Sequence, residues 1–216
     1  MKLKPASLRL TLLGVGAMNS PRYAPAGLLV EHGRSRVIID GGLPTIARIT
    51  AWLVTDRRSE LIREIRKLAH ARGLEPQVTL YTSDDLVIEP RPVVHTSHPT
   101  FGYLIRSCNK KIVWAPEFLM FPSWAKGADL MFAEAAGWKK PILFRGGVGG
   151  HACVDQVIRE ALNYKVKQLV FSHIGRPTIK AIDAGQRLGF GEYGGDGDIY
   201  SLRGDGNFFR RARTKR

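Results

Sequence analysis

Short apolar runs separated by turns limit what this chain can fold into more than any other feature. The runs are rich in Val, Ile and Leu, and the 216 residues include 23 Gly and 12 Pro that interrupt them. Runs of this length are typical of β-strands and are much too short to span a membrane. The sequence therefore predicts a β-rich domain with few helices and no transmembrane segment.

The order of the runs indicates how the strands connect. Residues 27–31 and 36–40 predict a hairpin through the turn His32-Gly33-Arg34. Apolar positions recur at helical spacing over 61–69 and 154–162, which predicts two amphipathic helices. Hairpins in the first part and helices between later strands favour an α/β or α+β sandwich over a doubly wound parallel sheet.

The charge of the chain points to acidic partners. Its formal net charge is +14, and five of the basic residues lie in 208–216. Such a surface is expected to attract nucleic acid, a phosphorylated ligand or another anionic substrate. The two cysteines, Cys108 and Cys153, are too few for a disulfide framework, so we expect a cytoplasmic protein.

Several segments, in order, resemble the metallo-β-lactamase superfamily and within it the ribonuclease Z-like branch. The resemblance rests on six segments that are spread along the chain: Leu12-Leu13-Gly14-Val15-Gly16, the hairpin ending in Ile39-Asp40-Gly41-Gly42, His95 with Gly102-Tyr103, Phe132-Ala133-Glu134-Ala135, Gly150-His151, and Val170-Phe171-Ser172-His173. It implies a four-layer αββα sandwich over 1–207 with a separate basic tail, 208–216. It also implies a site at the strand ends between the two sheets.

The most specific motif of that superfamily, Thr-His-x-His-x-Asp-His, is degenerate here. The matching stretch runs from Thr55 to Leu61, with Asp56 and Arg58 at the first two histidine positions and Glu60 at the aspartate position. A guanidinium keeps its proton and an aliphatic side chain has no lone pair, so neither binds a metal ion. A binuclear centre is therefore not expected.

The surviving ligands implied by the resemblance would support at most one metal ion. They are His95, Glu117, His173 and Asp56, a set that suits zinc, iron or manganese. His98 is an alternative to His95 as the inward-facing histidine. A site without metal is the other interpretation, in which Arg58 takes the place of the metal and forms ion pairs with Glu117 or Asp56.

The resemblance assigns a role to His151, and the chemistry of guanidinium suggests one for two arginines. His151 is expected to transfer protons, with Glu60 as its partner, while Arg58 and Arg176 bind an anionic substrate. The implied activity is hydrolysis of a phosphodiester or another ester. The alternative is a non-catalytic relative that binds nucleic acid or a phosphorylated ligand through its basic surface.

Three further features leave structural interpretations open. The apolar stretch 118–124 predicts either a lid over the site or the surface of a homodimer. Cys153 is expected to be a small buried hydrophobe. His32, in a hairpin turn, and His70, at the polar end of a helix, are expected to be solvated.

Overall fold

Two β-sheets dominate the computed structural model, which describes residues 7–18, 20–41, 48–202 and 206–212. The first sheet has six strands, in the spatial order β15 (Phe208–Arg211), β14 (Ile199–Leu202), β1 (Arg9–Gly14), β2 (Gly27–His32), β3 (Ser35–Asp40) and β4 (Ala51–Leu53). The second has seven, in the order β13 (Glu192–Tyr193), β12 (Leu169–Ile174), β9 (Leu130–Ala135), β8 (Lys110–Ala115), β7 (Thr100–Ser107), β6 (Leu86–Val93) and β5 (Tyr81–Ser83).

A short hairpin, three α-helices and two short 3₁₀ helices, Ser123–Ala125 and Arg145–Gly147, complete the described elements. The hairpin pairs β10 (Ile142–Leu143) with β11 (Gly150–His151). The helices are α1 (Ile62–His70), α2 (Val154–Asn163) and α3 (Arg176–Asp183). No helix in the described ranges is long and apolar enough to cross a membrane.

Both faces of the first sheet are buried, and successive side chains of β2 and β3 point to opposite faces. Leu28 and Val30 belong to the main core between the sheets, whereas Leu29 and Ile38 face a second apolar cluster. Successive side chains of a strand point to opposite faces, so a strand that is apolar at every position must be covered on both sides.

Helix α1 packs against the outer face of the first sheet. Its Ile62, Ile65 and Ala69 pack in one cluster with Leu29 and Trp52. Charged residues occupy the remaining positions of the helix, which is the pattern that predicts an amphipathic surface helix.

The central strands of the second sheet are also covered on both faces. Strands β9 and β12 are buried along their whole length and run parallel to each other. Helix α2 packs against β9. The α/β sandwich predicted from the sequence is therefore confirmed, with helices outside two facing sheets.

The end of the chain differs from the prediction of a separate tail. Residues 208–211 form the edge strand β15, paired antiparallel with β14. Phe208 is buried, and Arg210 forms ion pairs with Glu192 (2.8 Å) and Asp198 (2.6 Å). The pattern Phe-Phe-Arg-Arg lacks the alternation typical of a half-buried strand, so only the tertiary contacts reveal it. Residues 213–216 lie outside the described part.

Candidate active site

A cleft of about 540 Å³ opens where the second sheet meets the loops of the first. Its lining includes His95, which follows β6, Glu117, which follows β8, and His173 near the end of β12. His151 of β11 lines it too. The chain thus brings together side chains that are widely separated in sequence, at the strand ends expected from the resemblance.

Glu117 bridges two histidines in this cleft. Its Oε2 lies 3.1 Å from Nε2 of His95, and its Oε1 lies 3.1 Å from Nε2 of His173. One carboxylate therefore contacts both imidazoles directly, each through a different oxygen.

The other ring nitrogen of each histidine also faces an acceptor. Nδ1 of His95 lies 2.9 Å from the carbonyl oxygen of Gly150, and Nδ1 of His173 lies 2.9 Å from Oε1 of Glu134. A neutral imidazole can donate a hydrogen bond from only one nitrogen. A ring held between two acceptors therefore has a proton on both nitrogens, or it coordinates a cation through one of them. The environment of both rings thus favours imidazolium.

Glu134 anchors the network from inside the second sheet. Its side chain is completely buried and accepts from Nδ1 of His151 (2.8 Å) and Nδ1 of His173 (2.9 Å). The backbone N–H groups of Phe118 (3.2 Å) and Ala136 (2.9 Å) donate to the same carboxylate. Four donors satisfy the acceptor capacity of a buried carboxylate, which keeps it ionised and holds both rings in place.

The pKa shifts follow from these contacts. Burial opposes the charged form of His173, but the carboxylates of Glu134 and Glu117 outweigh burial and raise its pKa to about 10. Burial likewise acts to lower the pKa of His95, but its hydrogen bond and charge interaction with Glu117 outweigh burial and raise the pKa. Desolvation disfavours the ionised forms of Glu117 and Glu134, yet the neighbouring imidazoles lower the pKa of both carboxyls.

Local backbone geometry aims His173 into the cleft. Its φ is +58°, in the left-handed region that few residues other than glycine adopt. The pairing of β12 with β9 shifts register between Phe171 and Ile174, so the strand bulges at this point. Such a bulge turns a side chain away from the regular alternation, here towards Glu117 and Glu134.

Two glycines allow the β10–β11 hairpin to close on His95. A Cβ at Gly149, where φ is +152°, would lie 2.0 Å from the carbonyl oxygen of His95. The N–H of Gly150 donates to that same oxygen at 2.9 Å. The glycine-rich loop at 146–150 therefore serves to position the histidine.

Solved structures with the same arrangement of sheets identify the fold. The metallo-β-lactamase fold protein YhfI from Bacillus subtilis aligns with 89% of this chain and 98% of its own, at 13% identity and a TM-score of 0.68. The chain has the metallo-β-lactamase fold. A diphosphatase of the PhnP family aligns with 91% of this chain and 97% of its own, at 17% identity and a TM-score of 0.66.

A more distant metallo-β-lactamase-fold structure is the short form of human tRNase Z. It aligns with 78% of this chain and 93% of its own, at 14% identity and a TM-score of 0.52. Neither a protein-family model nor a curated protein matches the sequence. The comparisons thus establish the fold, and two of these neighbours are named as a diphosphatase and a tRNase Z.

Asp56 lies in the cleft, but its partners differ from those expected of a metal ligand. Its two carboxylate oxygens lie 3.0 and 2.9 Å from Nε2 of His98, and Oδ1 also accepts from the backbone N–H of Arg58 at 2.7 Å. His98 therefore pairs with Asp56 while His95 faces Glu117. Both histidines line the cleft, so His95 and His98 are not alternatives, and each contacts a different carboxylate.

Arg58 does not take the place of a metal ion. The ion pairs of Glu117 within the described ranges are with His95 and His173, and that of Asp56 is with His98. The Arg58 side chain is exposed and lines the rim of the cleft. The expected ion pair of Arg58 with Glu117 or Asp56 is therefore wrong, because the imidazoles already occupy both carboxylates.

His151 has a different carboxylate partner from the one expected. Its Nδ1 pairs with Glu134, whereas Glu60 is exposed at the rim of the cleft. Arg176, at the start of α3, is exposed and lines the same cleft. The structure thus places Arg58, Glu60 and Arg176 at the entrance and the histidines deeper inside.

The donor atoms of the predicted four-ligand metal site do not converge as one group. Among the described residues, donor atoms converge within 4.8 Å of one another in two groups: Glu134 with His151 and His173, and His32 with Asp85 and Cys108. The first group offers two Nδ1 atoms that already donate to a carboxylate whose acceptor capacity is filled. The set Asp56, His95, Glu117 and His173 is not one of these groups, and Asp56 faces His98 instead, so an ion held by all four remains a prediction.

Sequence reasoning missed the roles of two carboxylates. The sequence pattern places Glu134 only within a strand, although a buried Glu in an apolar strand is a signal of a satisfied polar network. Asp40, also beside the cleft, accepts from Thr55 and from Nε1 of Trp114 (3.1 Å). Desolvation raises the pKa of Asp40 to about 7 against these hydrogen bonds.

Proposed function

We propose that this protein is a hydrolase of anionic esters, phosphodiesters above all, whose diverged cleft works without a binuclear metal centre. The observation that carries the proposal is the bridge of Glu117 to both His95 and His173 at 3.1 Å. In this arrangement two cationic imidazoles stand where metallo-β-lactamase-fold hydrolases would need metal ligands. Because carboxylates already pair with these imidazoles, a developing oxyanion would be stabilised by the exposed guanidiniums of Arg58 and Arg176 at the rim.

His151 is the residue best placed to transfer protons. Its Nδ1 is engaged by Glu134, so Nε2 is the nitrogen left to exchange a proton with a bound molecule. During hydrolysis this nitrogen would accept a proton from the attacking water and return it to the leaving oxygen. The stacked ring of His173, with centroids 5.1 Å apart, fixes its orientation.

The rim of the cleft suits an anionic substrate. Arg58 and Arg176 are exposed on its lining, and a guanidinium binds phosphate oxygens in pairs. These side chains would hold the ester group over His151. Their exposure lets them contact a substrate too large to enter the cleft.

A direct test uses hydrolysis of bis(p-nitrophenyl) phosphate by purified protein. We expect turnover by the wild type and a loss of about 100-fold or more in His151→Gln, because the general acid–base is gone. Glu60→Gln serves as the matched control and is expected to retain activity, since Glu60 does not contact the histidine network. Equal rates in wild type and His151→Gln would contradict the proposal.

The second candidate is a non-catalytic protein that binds nucleic acid or a phosphorylated ligand. The net charge of +14 and the exposed arginines at the rim favour it. It predicts single-stranded nucleic acid binding that weakens steeply with salt, with no loss in His151→Gln. No hydrolysis together with such binding would support this candidate over the enzyme.

Self-association also remains a prediction. Phe118 is buried and Phe121 stacks on Tyr164, with ring centroids 5.2 Å apart, whereas Met120 is exposed. The stretch 118–124 is thus partly core, and its exposed part is the candidate homodimer surface.

A further inference from the structure

The end of one strand and two turns lie close together at the side of the sandwich opposite the cleft. His32 ends β2, Asp85 lies in the turn between β5 and β6, and Cys108 lies in the turn between β7 and β8. At the other end of β2, Gly27 pairs with Asp40 beside the cleft. Six residues of strand separate the two ends by about 17 Å, so this cluster is independent of the candidate active site.

His32 is not the solvated turn residue expected from the sequence. Only 4% of its surface is exposed, and Nε2 contacts Oδ1 of Asp85. Its Nδ1 faces Oγ of Ser107 at 3.5 Å. The buried ring is therefore oriented by one polar group on each side, as the histidines that bind metal ions usually are.

Asp85 and Cys108 complete a convergent set of ligand types. A ring nitrogen of His32, a carboxylate oxygen of Asp85 and Sγ of Cys108 all lie within 4.8 Å of one another. The backbone N–H of Cys108 also donates to Oδ2 of Asp85 at 3.3 Å.

The basic residues around the cluster are already paired. Lys110 lies 3.6 Å from Asp129, Arg106 lies 3.1 Å from Glu89, and Lys111 donates to a backbone carbonyl. Asp129 and Glu89 thus offset part of the charge of Lys110 and Arg106, whereas the carbonyl partner of Lys111 is neutral. The carboxylate of Asp85 and the thiolate of Cys108 would supply the two negative charges that balance a dication.

We propose that His32, Asp85 and Cys108 bind one Zn²⁺ ion, with water as the fourth ligand. Imidazole, carboxylate and thiolate are the three ligand types that zinc takes in tetrahedral sites. His32 ends a strand of the first sheet, whereas Asp85 and Cys108 lie in turns that join strands of the second. The ion would therefore join the two sheets, and its role would be to stabilise the sandwich.

The experiment is a Co²⁺ titration of the full-length protein after treatment with chelator. A near-ultraviolet thiolate-to-cobalt absorption band is expected to saturate at one ion per chain. Cys108 and Cys153 are the only two cysteines of the chain, so Cys153→Ala is the matched control. The band should vanish in Cys108→Ala and His32→Gln and persist in Cys153→Ala. An ion bound in the cleft would give no thiolate band, which separates the two sites.

Thermal unfolding with Zn²⁺ gives an independent readout. At a hundredfold excess over the dissociation constant, we expect Zn²⁺ to raise the Tm of the wild type and Cys153→Ala by about 5–10 °C. Cys108→Ala should show no such rise, while its circular dichroism shows that it folds. A saturating titration without the thiolate band, or an equal rise of Tm in Cys108→Ala, would overturn the proposal.

Discussion

Nδ1 of His173 lies 2.9 Å from Oε1 of Glu134, a carboxylate that has no exposed surface. This pair fixes the ring of a histidine that sits on a strained backbone position, so that Nε2 points at Glu117. A buried carboxylate therefore decides which nitrogen of His173 faces the cleft. The stability and the chemistry of the site both depend on it.

The stability of the protein should fall above neutral pH through His173. Its folded pKa of about 10 exceeds the ordinary value of 6.5, so the stabilisation is complete below pH 6.5 and is lost as the pH rises through 10. We expect a decrease on the order of 3 kcal/mol in the free energy of unfolding between pH 7 and 10, measured by urea unfolding. His173→Gln cannot titrate and should show a flatter profile over that range.

The control for this pH dependence is His70→Gln. His70 is exposed and pairs with the exposed Glu75 at 2.5 Å, so its replacement should leave the wild-type profile unchanged. A His173→Gln profile as steep as that of the wild type would assign the effect to other groups.

Replacement of Glu134 should be far more costly than replacement of Glu60. Glu134→Gln leaves buried donors facing an amide nitrogen, and we expect a loss of about 3 kcal/mol in the free energy of unfolding. Glu60→Gln changes an exposed side chain and should cost less than about 0.5 kcal/mol. Chemical denaturation of both variants checks this order, and a larger cost for Glu60→Gln would refute the pairing of His151 with Glu134.

Gly149→Ala should displace His95. The added Cβ would lie 2.0 Å from the carbonyl oxygen of His95, so the loop must move, at a cost of about 2 kcal/mol or more. Gly146→Ala is the matched control, because Gly146 has a positive φ of 78° but no atom within 4 Å of the added Cβ. It should cost about 1 kcal/mol. The NMR signals of the His95 ring should shift in the first variant and stay in place in the second.

Removal of residues 208–216 should destabilise the first sheet. The truncation exposes β14 and loses both the buried Phe208 and the ion pairs of Arg210. We expect a loss of about 3 kcal/mol from these contacts. A chain that ends at residue 212 keeps β15 and should unfold at nearly the wild-type temperature. Equal Tm values for the wild type and the longer truncation would restore the interpretation of 208–216 as a free tail.

Local sequence was sufficient for the elements with strong local signals. The hairpin of β2 and β3 follows from two apolar runs joined by a turn, and the helices α1 and α2 follow from helical spacing of apolar residues. Helix α3 and strand β15 carry weaker patterns: α3 opens with Arg176-Pro177, and β15 places two aromatic residues in succession. Their burial comes from neighbours distant in sequence, which local periodicity does not reveal.

The sequence by itself determined that this chain folds as a β-rich sandwich and that it contains no Thr-His-x-His-x-Asp-His motif, because both depend on residue type and local order. Only the tertiary structure decided the partners: Glu134 for His151, Glu117 for His95 and His173, and Asp56 for His98. Ionisable side chains act through distances of about 3 Å, and those distances arise when strands far apart in the chain are brought to the same edge of a sheet.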